Sequence, residues 1–329
     1  MKLALVGATG EVGRTALKVL EERGFPAADL ILLASPRSAG VAMTYAGESL
    51  IVEDVALFDP ARAQVAVFSA GSDVAREQAP RFVAGGCTVV DNSSQFRYDD
   101  DKLLVVPEVN GARLAELDGP DIVANPNCST IQIVVALQPI AQAAGLARVN
   151  VCTYQAVSGA GRKGIAQLEA EQAGEEPAVR AFQKPIAGNV IPHIDRFEEN
   201  GYTREEMKVV RETRKIMGLP ELPVNCTAVR VPVLNGHSAA VHLETERPLS
   251  VEDAKAALRS APGIVLVESD DYPTPKTDAD GVDAVFVGRV RADVSHPRGL
   301  CLWVVADNLR KGAATNAVQI AEQWAALKR

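Results

Sequence analysis

Cys128 stands in the stretch Ala-Asn-Pro-Asn-Cys-Ser-Thr-Ile-Gln, at the point where a long apolar run begins. Ser129 or Thr130 can cap a helix over that run, which would put the thiol at a helix N-terminus. There the helix dipole and unpaired N–H groups favour the thiolate, the form that attacks. The competing reading is a small apolar residue ahead of a packed helix. The other four cysteines read as buried: Cys152 and Cys226 lie in alternating strands, and Cys87 and Cys301 adjoin strand starts. A thiolate enzyme also needs an acid or base, and the histidines are His193, His237, His242 and His296. His237 directly follows the turn-like Leu-Asn-Gly, Leu234 to Gly236, with Arg230 seven residues earlier. If that turn closes a hairpin, an imidazole and a guanidinium share one pocket. A lone histidine is as readily structural, so the residues alone leave both readings open.

A second constellation suits a nucleotide. Gly7, Gly10 and Gly13 lie between an apolar run and an amphipathic stretch, in the spacing G-x-x-G-x-x-G. Glycines there permit a tight turn and close approach of a pyrophosphate to a helix N-terminus. A strand-to-helix turn requires glycine with or without a ligand, so the triplet is suggestive only by its position. About twenty residues on, where an NAD site places a carboxylate against the ribose, the chain has Ser35, Arg37 and Ser38 instead. A guanidinium flanked by hydroxyls suits a 2′-phosphate and favours NADP over NAD. A solvated loop arginine is the plain alternative.

These groups need elements to hold them. Short apolar runs (Lys-Leu-Ala-Leu-Val, Leu-Ile-Leu-Leu-Ala, Val-Ala-Val-Phe, Thr-Val-Val-Asp) alternate with helical stretches at Glu11 to Arg23 and Ser72 to Ala84 over the first 125 residues. That alternation predicts a parallel, doubly wound sheet. Beyond Cys128 come a long apolar helix from about Thr130 and more clearly alternating strands. Further strands near Gly263 to Glu268, Ala284 to Val290 and Leu300 to Val305 predict a second domain with a mixed or antiparallel sheet. The final segment, with Ala313, Ala317, Ile320, Ala321 and Trp324 at helical spacing, reads as an amphipathic helix returning to the first domain. Glu268 to Gly281 reads as a polar loop.

Composition limits the functions. The 329 residues carry a net charge of −8 without a basic run, which argues against nucleic-acid or anionic-membrane partners and for a small molecule. Five cysteines without a C-x-x-C pair, and with no histidine at ligand spacing, argue against a disulfide framework or a structural zinc site. No apolar segment reaches the roughly 18 residues of a membrane span, and a cytoplasmic location is expected.

The stretches GATGEVG, SSQFR, NPNCSTIQ, YQAVSGAGRKG, VRETRKI, VRVPVLNGHS and DNLRKGAATNAVQI, in this order over essentially the whole chain, resemble the bacterial aspartate-semialdehyde dehydrogenase family. Asn-Pro-Asn-Cys-Ser-Thr differs from the N-P-G-C-Y pattern of the related N-acyl-glutamyl-phosphate reductases. The resemblance implies an α/β fold: a Rossmann-type NADP-binding domain, residues 1–126 and 308–329, plus an α+β catalytic and dimerisation domain with a mixed sheet, residues 127–307. Cys128 is then the nucleophile, and His237 a general acid/base titrating near neutrality. Gln155 orients the substrate, Arg230 clamps its α-carboxylate, and Glu212 lies near its amino group. Arg97 and Lys215 hold the phosphate. Thr9, Gly10, Glu11, Val12, Arg37, Ser38, Ser158, Gly159 and Asn308 contact NADP(H). Read locally, Glu212 and Lys215 are a surface i,i+3 ion pair and Arg97 a solvated loop residue. The family implies a homodimer or a dimer of dimers through the second domain. The alternatives are an N-acyl-glutamyl-phosphate reductase of the same fold and a non-catalytic NADP-binding paralogue.

Overall fold

The computed structural model describes residues 1–268 and 270–328; Ser269, in the polar loop, and Arg329, at the end of the final segment, lie outside them. In chain order the first elements are β1 (Leu3–Val6), α1 (Glu11–Glu22), β2 (Leu30–Ala34), β3 (Ala42–Tyr45), β4 (Glu48–Ile51) and β5 (Glu53–Asp54). Next come β6 (Val65–Phe68), α2 (Ser72–Ala84), β7 (Thr88–Asp91), β8 (Leu103–Leu104), α3 (Pro107–Asn110) and β9 (Ile122–Ala124). Then follow α4 (Cys128–Ala144), β10 (Arg148–Gln155), α5 (Arg162–Gln172), α6 (Arg204–Met217), β11 (Val224–Arg230) and β12 (His237–Glu244). The chain closes with α7 (Val251–Ser260), β13 (Ile264–Leu266), β14 (Val285–Ala292), β15 (Gly299–Ala306) and α8 (Thr315–Leu327). Two compact units result, Met1–Asn127 with Ala313–Arg329, and Cys128–Gly312.

In the first unit a seven-stranded sheet has the order β5-β2-β1-β6-β7-β9-β8, and every pairing is parallel. Both faces are covered, which is why β1, β6 and β7 are unbroken runs of buried residues with no polar alternation. On one side Ala16, Leu17 and Leu20 of α1 and Val318, Ile320 and Trp324 of α8 join Leu3 and Leu5 in one core. On the other, Ala75, Ala79 and Phe82 of α2 pack with Ala4, Val6 and Phe68. Each large apolar side chain so buried stabilises the fold by ~1.5–3 kcal/mol. Strand order reverses beside β1, which opens the crevice at its C-terminal end where such sheets bind ligands.

The second unit is built on a mixed sheet of six strands, order β11-β10-β12-β15-β14-β13. Helix α4 is flanked by α6 and α7 and lies against β12, β14 and β15, so it is buried nearly all round and needs no polar face. The expected hairpin between β11 and β12 does not form. Strand β10 lies between them, parallel to β11 and antiparallel to β12. The segment around Leu-Asn-Gly instead crosses the end of β10, where Val157 and Ser158 N–H donate to the carbonyls of Val233 and Leu234. Cys152 also differs from expectation. Strand alternation buries Val151 and Thr153 but turns Cys152 and Tyr154 to the opposite face, where both are exposed.

Candidate active site

Cys128 is the first residue of α4 and is partly exposed; Ser129 and Thr130, expected to cap the helix, lie inside its first turn instead, and the thiol still sits at the helix N-terminus. Its Sγ lies 3.4 Å from Nε2 of His237. Gly312 leaves room for it: a Cβ there would stand 3.1 Å from the Cys128 Cβ and 3.2 Å from its carbonyl oxygen.

His237 opens β12 and is fully buried. The backbone N–H of Ala156 donates to its Nδ1 at 3.0 Å. That nitrogen accepts, so the neutral ring carries its proton on Nε2, facing the sulfur. Burial first, and the Arg230 guanidinium second, push the imidazole pKa down to about 3, against an opposing pull from Glu205. Titration near neutrality is therefore corrected for this state: a buried ring beside a cation resists a second proton.

Arg230 ends β11, paired in register with Gln155, and its backbone exchanges two hydrogen bonds with Ile191, at 2.8 and 2.9 Å. Arg230 is 4% exposed, and its Nη1 donates to the Ala156 carbonyl at 2.6 Å. One peptide residue thus holds both side chains, His237 by its N–H and Arg230 by its C=O. Burial lowers the Arg230 pKa, while the charges of Glu205 and Cys128 raise it. Gly159 backs the pair, since a Cβ there would meet Nη1 at 2.8 Å and the imidazole at 3.2 Å.

Gln155, buried at the end of β10, donates from Nε2 to Thr153 Oγ1 at 3.2 Å and to Glu205 Oε1 at 3.3 Å. Glu205 in turn accepts from Lys208 Nζ at 3.0 Å, and Lys208 also pairs with Asp195 at 3.0 Å. Burial works against the charged Lys208, but these two carboxylates outweigh it and raise its pKa. Helix α6 is placed by a capping box of Thr203 and Glu206, and Glu206 also accepts from Ala228 N–H of β11 at 3.0 Å. Glu212 and Lys215 lie two turns beyond Glu205 and Lys208, about 10 Å along the axis. Glu212 is fully buried and Lys215 half-buried, so they are not the surface pair that spacing suggests.

Ser158 and Asn308 bond to each other, the Asn308 Nδ2 donating to Ser158 Oγ at 3.0 Å, and Asn308 Oδ1 accepts from Gly236 N–H at 2.9 Å. This cluster fixes the backbone just before His237. Ala156, Glu205, Lys208 and Gly312 escaped the sequence reading. Only the capping box, Thr203 to Glu206, could have shown that α6 starts beside Glu205.

The nucleotide constellation lies in the first unit. Gly7 has φ of +85°, and a Cβ on it would stand 2.9 Å from the Ser69 carbonyl carbon. A Cβ on Gly13 would stand 2.1 Å from the Gly7 carbonyl oxygen, so α1 reaches the turn only without a side chain there. Gly10 is the N-cap of α1 and supplies no side-chain hydrogen bond, leaving the first turn, Glu11 to Gly13, suited to a phosphate. Thr9 precedes it in the loop. Gly7 and Ala8 N–H both donate to the Leu33 carbonyl, at 2.8 and 3.2 Å, which pins this loop to the end of β2. Just past that end, Ser35 to Ser38 form a turn closed by a 2.9 Å bond, with Ser35 and Arg37 exposed and Ser38 half-buried. The residues present fit a 2′-phosphorylated dinucleotide. Arg97 is buried rather than solvated, at 6% exposure, and donates from Nη2 to the Asn92 carbonyl at 2.8 Å. Beside it burial raises the Asp91 pKa, against hydrogen bonds from Ser93 and the charge of Arg97.

Two family models match the chain, semialdehyde dehydrogenase NAD binding domain over residues 2–117 and semialdehyde dehydrogenase dimerisation domain over residues 137–311. An aspartate-semialdehyde dehydrogenase of Legionella pneumophila is 55% identical, aligned over 98% of this chain and 95% of its own. The crystal structure of aspartate semialdehyde dehydrogenase II of Vibrio cholerae, described as complexed with ASA, superposes with a TM-score of 0.96 at 50% identity, covering 99% of this chain and 98% of that one. The Candida albicans aspartate semialdehyde dehydrogenase, described with NADP, gives 0.80 at 27% identity and covers 99% of both chains.

Proposed function

Because the chain belongs to the aspartate-semialdehyde dehydrogenases of the semialdehyde dehydrogenase family, we propose that Cys128 is the nucleophile of that reaction and that His237, Arg230 and Gln155 serve it. The enzyme carries out NADPH-dependent reductive dephosphorylation of L-aspartyl-4-phosphate to L-aspartate 4-semialdehyde, a step toward lysine, threonine and methionine. This reading stands over an N-acyl-glutamyl-phosphate reductase or a non-catalytic paralogue. The observation that carries the assignment of roles is the 3.4 Å approach of His237 Nε2 to Cys128 Sγ at a helix N-terminus.

The Cys128 thiolate attacks the acyl carbon; a C–S bond forms, the C–O bond to phosphate breaks, and a thioester remains on the protein. When bound, NADPH supplies the hydride that reduces that carbon. His237, by its Nε2–H, steadies the negative charge first on sulfur and then on the thiohemiacetal oxygen, until the C–S bond breaks and the aldehyde leaves. Arg230 takes the α-carboxylate and Gln155 orients the acyl group. Arg97 contributes to phosphate binding. Glu212 serves the substrate ammonium and Lys215 joins Arg97 at the phosphate, while Glu205, paired with Lys208, holds the Gln155 amide. Gly7, Gly10, Gly13 and the first turn of α1 hold the pyrophosphate, with Thr9, Glu11 and Val12 around it. Ser35, Arg37 and Ser38 take the 2′-phosphate, and Ser158, Gly159 and Asn308 border the nicotinamide.

The second unit serves in self-association, and we assign a homodimer contact to the sheet face carrying Cys152, Tyr154, His242 and Trp303. The match to a dimerisation domain and the exposure of that face support it. Steady-state assays with phosphate test the function: L-aspartate semialdehyde against N-acetyl-glutamate semialdehyde, NADP against NAD, and Cys128→Ser against the native enzyme. We expect turnover of the first aldehyde with NADP, lost in Cys128→Ser. Equal kcat/KM for the acetylated aldehyde, or full activity of Cys128→Ser, would overturn the reading.

A further inference from the structure

We propose that Phe182 is a positioning residue that holds the Arg230 guanidinium edge-on to the substrate carboxylate. This rests on the reading of Arg230 as the carboxylate clamp. Phe182 belongs to the long connection between α5 and α6, which α5 ties down by side-chain acceptors. Gln167 Oε1 accepts the N–H groups of Ala181 and Phe182, at 2.7 and 2.9 Å, and Glu171 Oε2 those of Ile186 and Ala187, at 2.6 and 2.8 Å. Gln167 is fully buried and donates to Glu171 Oε1 at 2.7 Å, so the two acceptors brace each other. The ring then lies over Arg230, its centroid 5.6 Å from Cζ, within cation–π range. Its tip rests where Gly164 has no side chain: a Cβ there would meet Phe182 Cζ at 3.1 Å.

Two contacts hold the guanidinium and one of its donors stays unmet. The Ala156 carbonyl engages Nη1, the Phe182 ring lies against the planar group, and Nε is buried without a hydrogen-bond partner. An unpartnered buried N–H is costly, and a guanidinium can offer Nε and Nη2 side by side to both oxygens of a carboxylate. The ring keeps that edge from rotating away before substrate arrives.

Phe182→Leu keeps bulk but removes the π face. The expected result is a KM for L-aspartate semialdehyde raised about 3- to 30-fold, as a cation–π contact implies, with kcat and the KM for phosphate within about twofold; Phe182→Tyr restores the native KM. In an Arg230→Lys background, Phe182→Leu should add little. If Arg230→Lys raises KM but Phe182→Leu does not, or if the two effects are fully additive, the positioning role is overturned while the clamp stands. If Arg230→Lys leaves KM unchanged, both fall. A Phe182→Leu protein that loses kcat and phosphate affinity together, without rescue by Tyr, also overturns it, since that marks a structural part only.

Discussion

With Nδ1 accepting a backbone proton and Nε2 facing sulfur, His237 is built as a hydrogen-bond donor in its neutral form. Imidazole NMR should show Nε2–H and no protonation of His237 down to about pH 4, given its pKa of about 3. A transition near 6.5 in the free enzyme would contradict the burial argument. Above about 6.5 the ring is neutral whether folded or not; as pH falls from there toward about 3 the unfolded chain gains a proton that the folded one refuses, and stability declines. At the same scale, Glu212→Gln should raise the KM for the amino-aldehyde at least about tenfold; an unchanged KM would remove Glu212 from the ammonium site. Cys128, Arg230 and Gln155 were legible because each stands in a distinctive motif. The bond from Gln155 to Glu205 was not, because Glu-x-x-Lys occurs twice in α6 and spacing does not tell which copy faces Gln155.

Among elements, close backbone approach decides more than side-chain identity. Gly13→Ala would force a methyl to 2.1 Å from the Gly7 carbonyl and push α1 off the turn, so NADP affinity should fall about 100-fold or the protein lose stability by several kcal/mol. Fluorescence titration and thermal melting read both, and native values for each would mean that the turn yields freely. Gly312→Ala would press on the Cys128 Cβ from 3.1 Å; we expect kcat to drop and NADP binding to hold. The doubly wound alternation of the first unit was readable because buried parallel strands are uninterrupted apolar runs. The false hairpin shows the limit: two strands six residues apart can both flank a third, and only long-range pairing settles it. Pro232 withholds a donor from that connection, yet nothing local announces that β10 intervenes.

For the molecule as a whole, the face bearing Cys152, Tyr154, His242 and Trp303 is the feature that a lone chain leaves unexplained. Tyr154, 37% exposed, meets Trp303 in a tilted ring contact at 5.6 Å, a pair suited to a contact core. Tyr154→Asp should shift sedimentation toward the monomer at micromolar concentration; an unchanged sedimentation coefficient would move the contact elsewhere. Among the described residues no helix is long and apolar enough to cross a membrane, and the mostly buried α4 is accounted for by its packing partners. Alternation along β10 marked two faces in the sequence, but not which would be covered by α4, α6 and α7. That depends on helices distant in the chain, and Cys152 fell on the uncovered side for that reason.

Ala156 accepts from the guanidinium through its C=O and donates to the imidazole through its N–H, and the charge of the one side chain acts on the other, which links carboxylate binding to proton affinity. A carboxylate on Arg230 offsets the positive charge that depresses His237, so the imidazole accepts a proton more readily once that anion is bound. Basicity should thus rise only when the right anion has docked, an ordering device made from two side chains held by one residue. Repeating the imidazole titration with a saturating dicarboxylate should move the His237 transition upward, and an identical curve with and without ligand would refute the linkage.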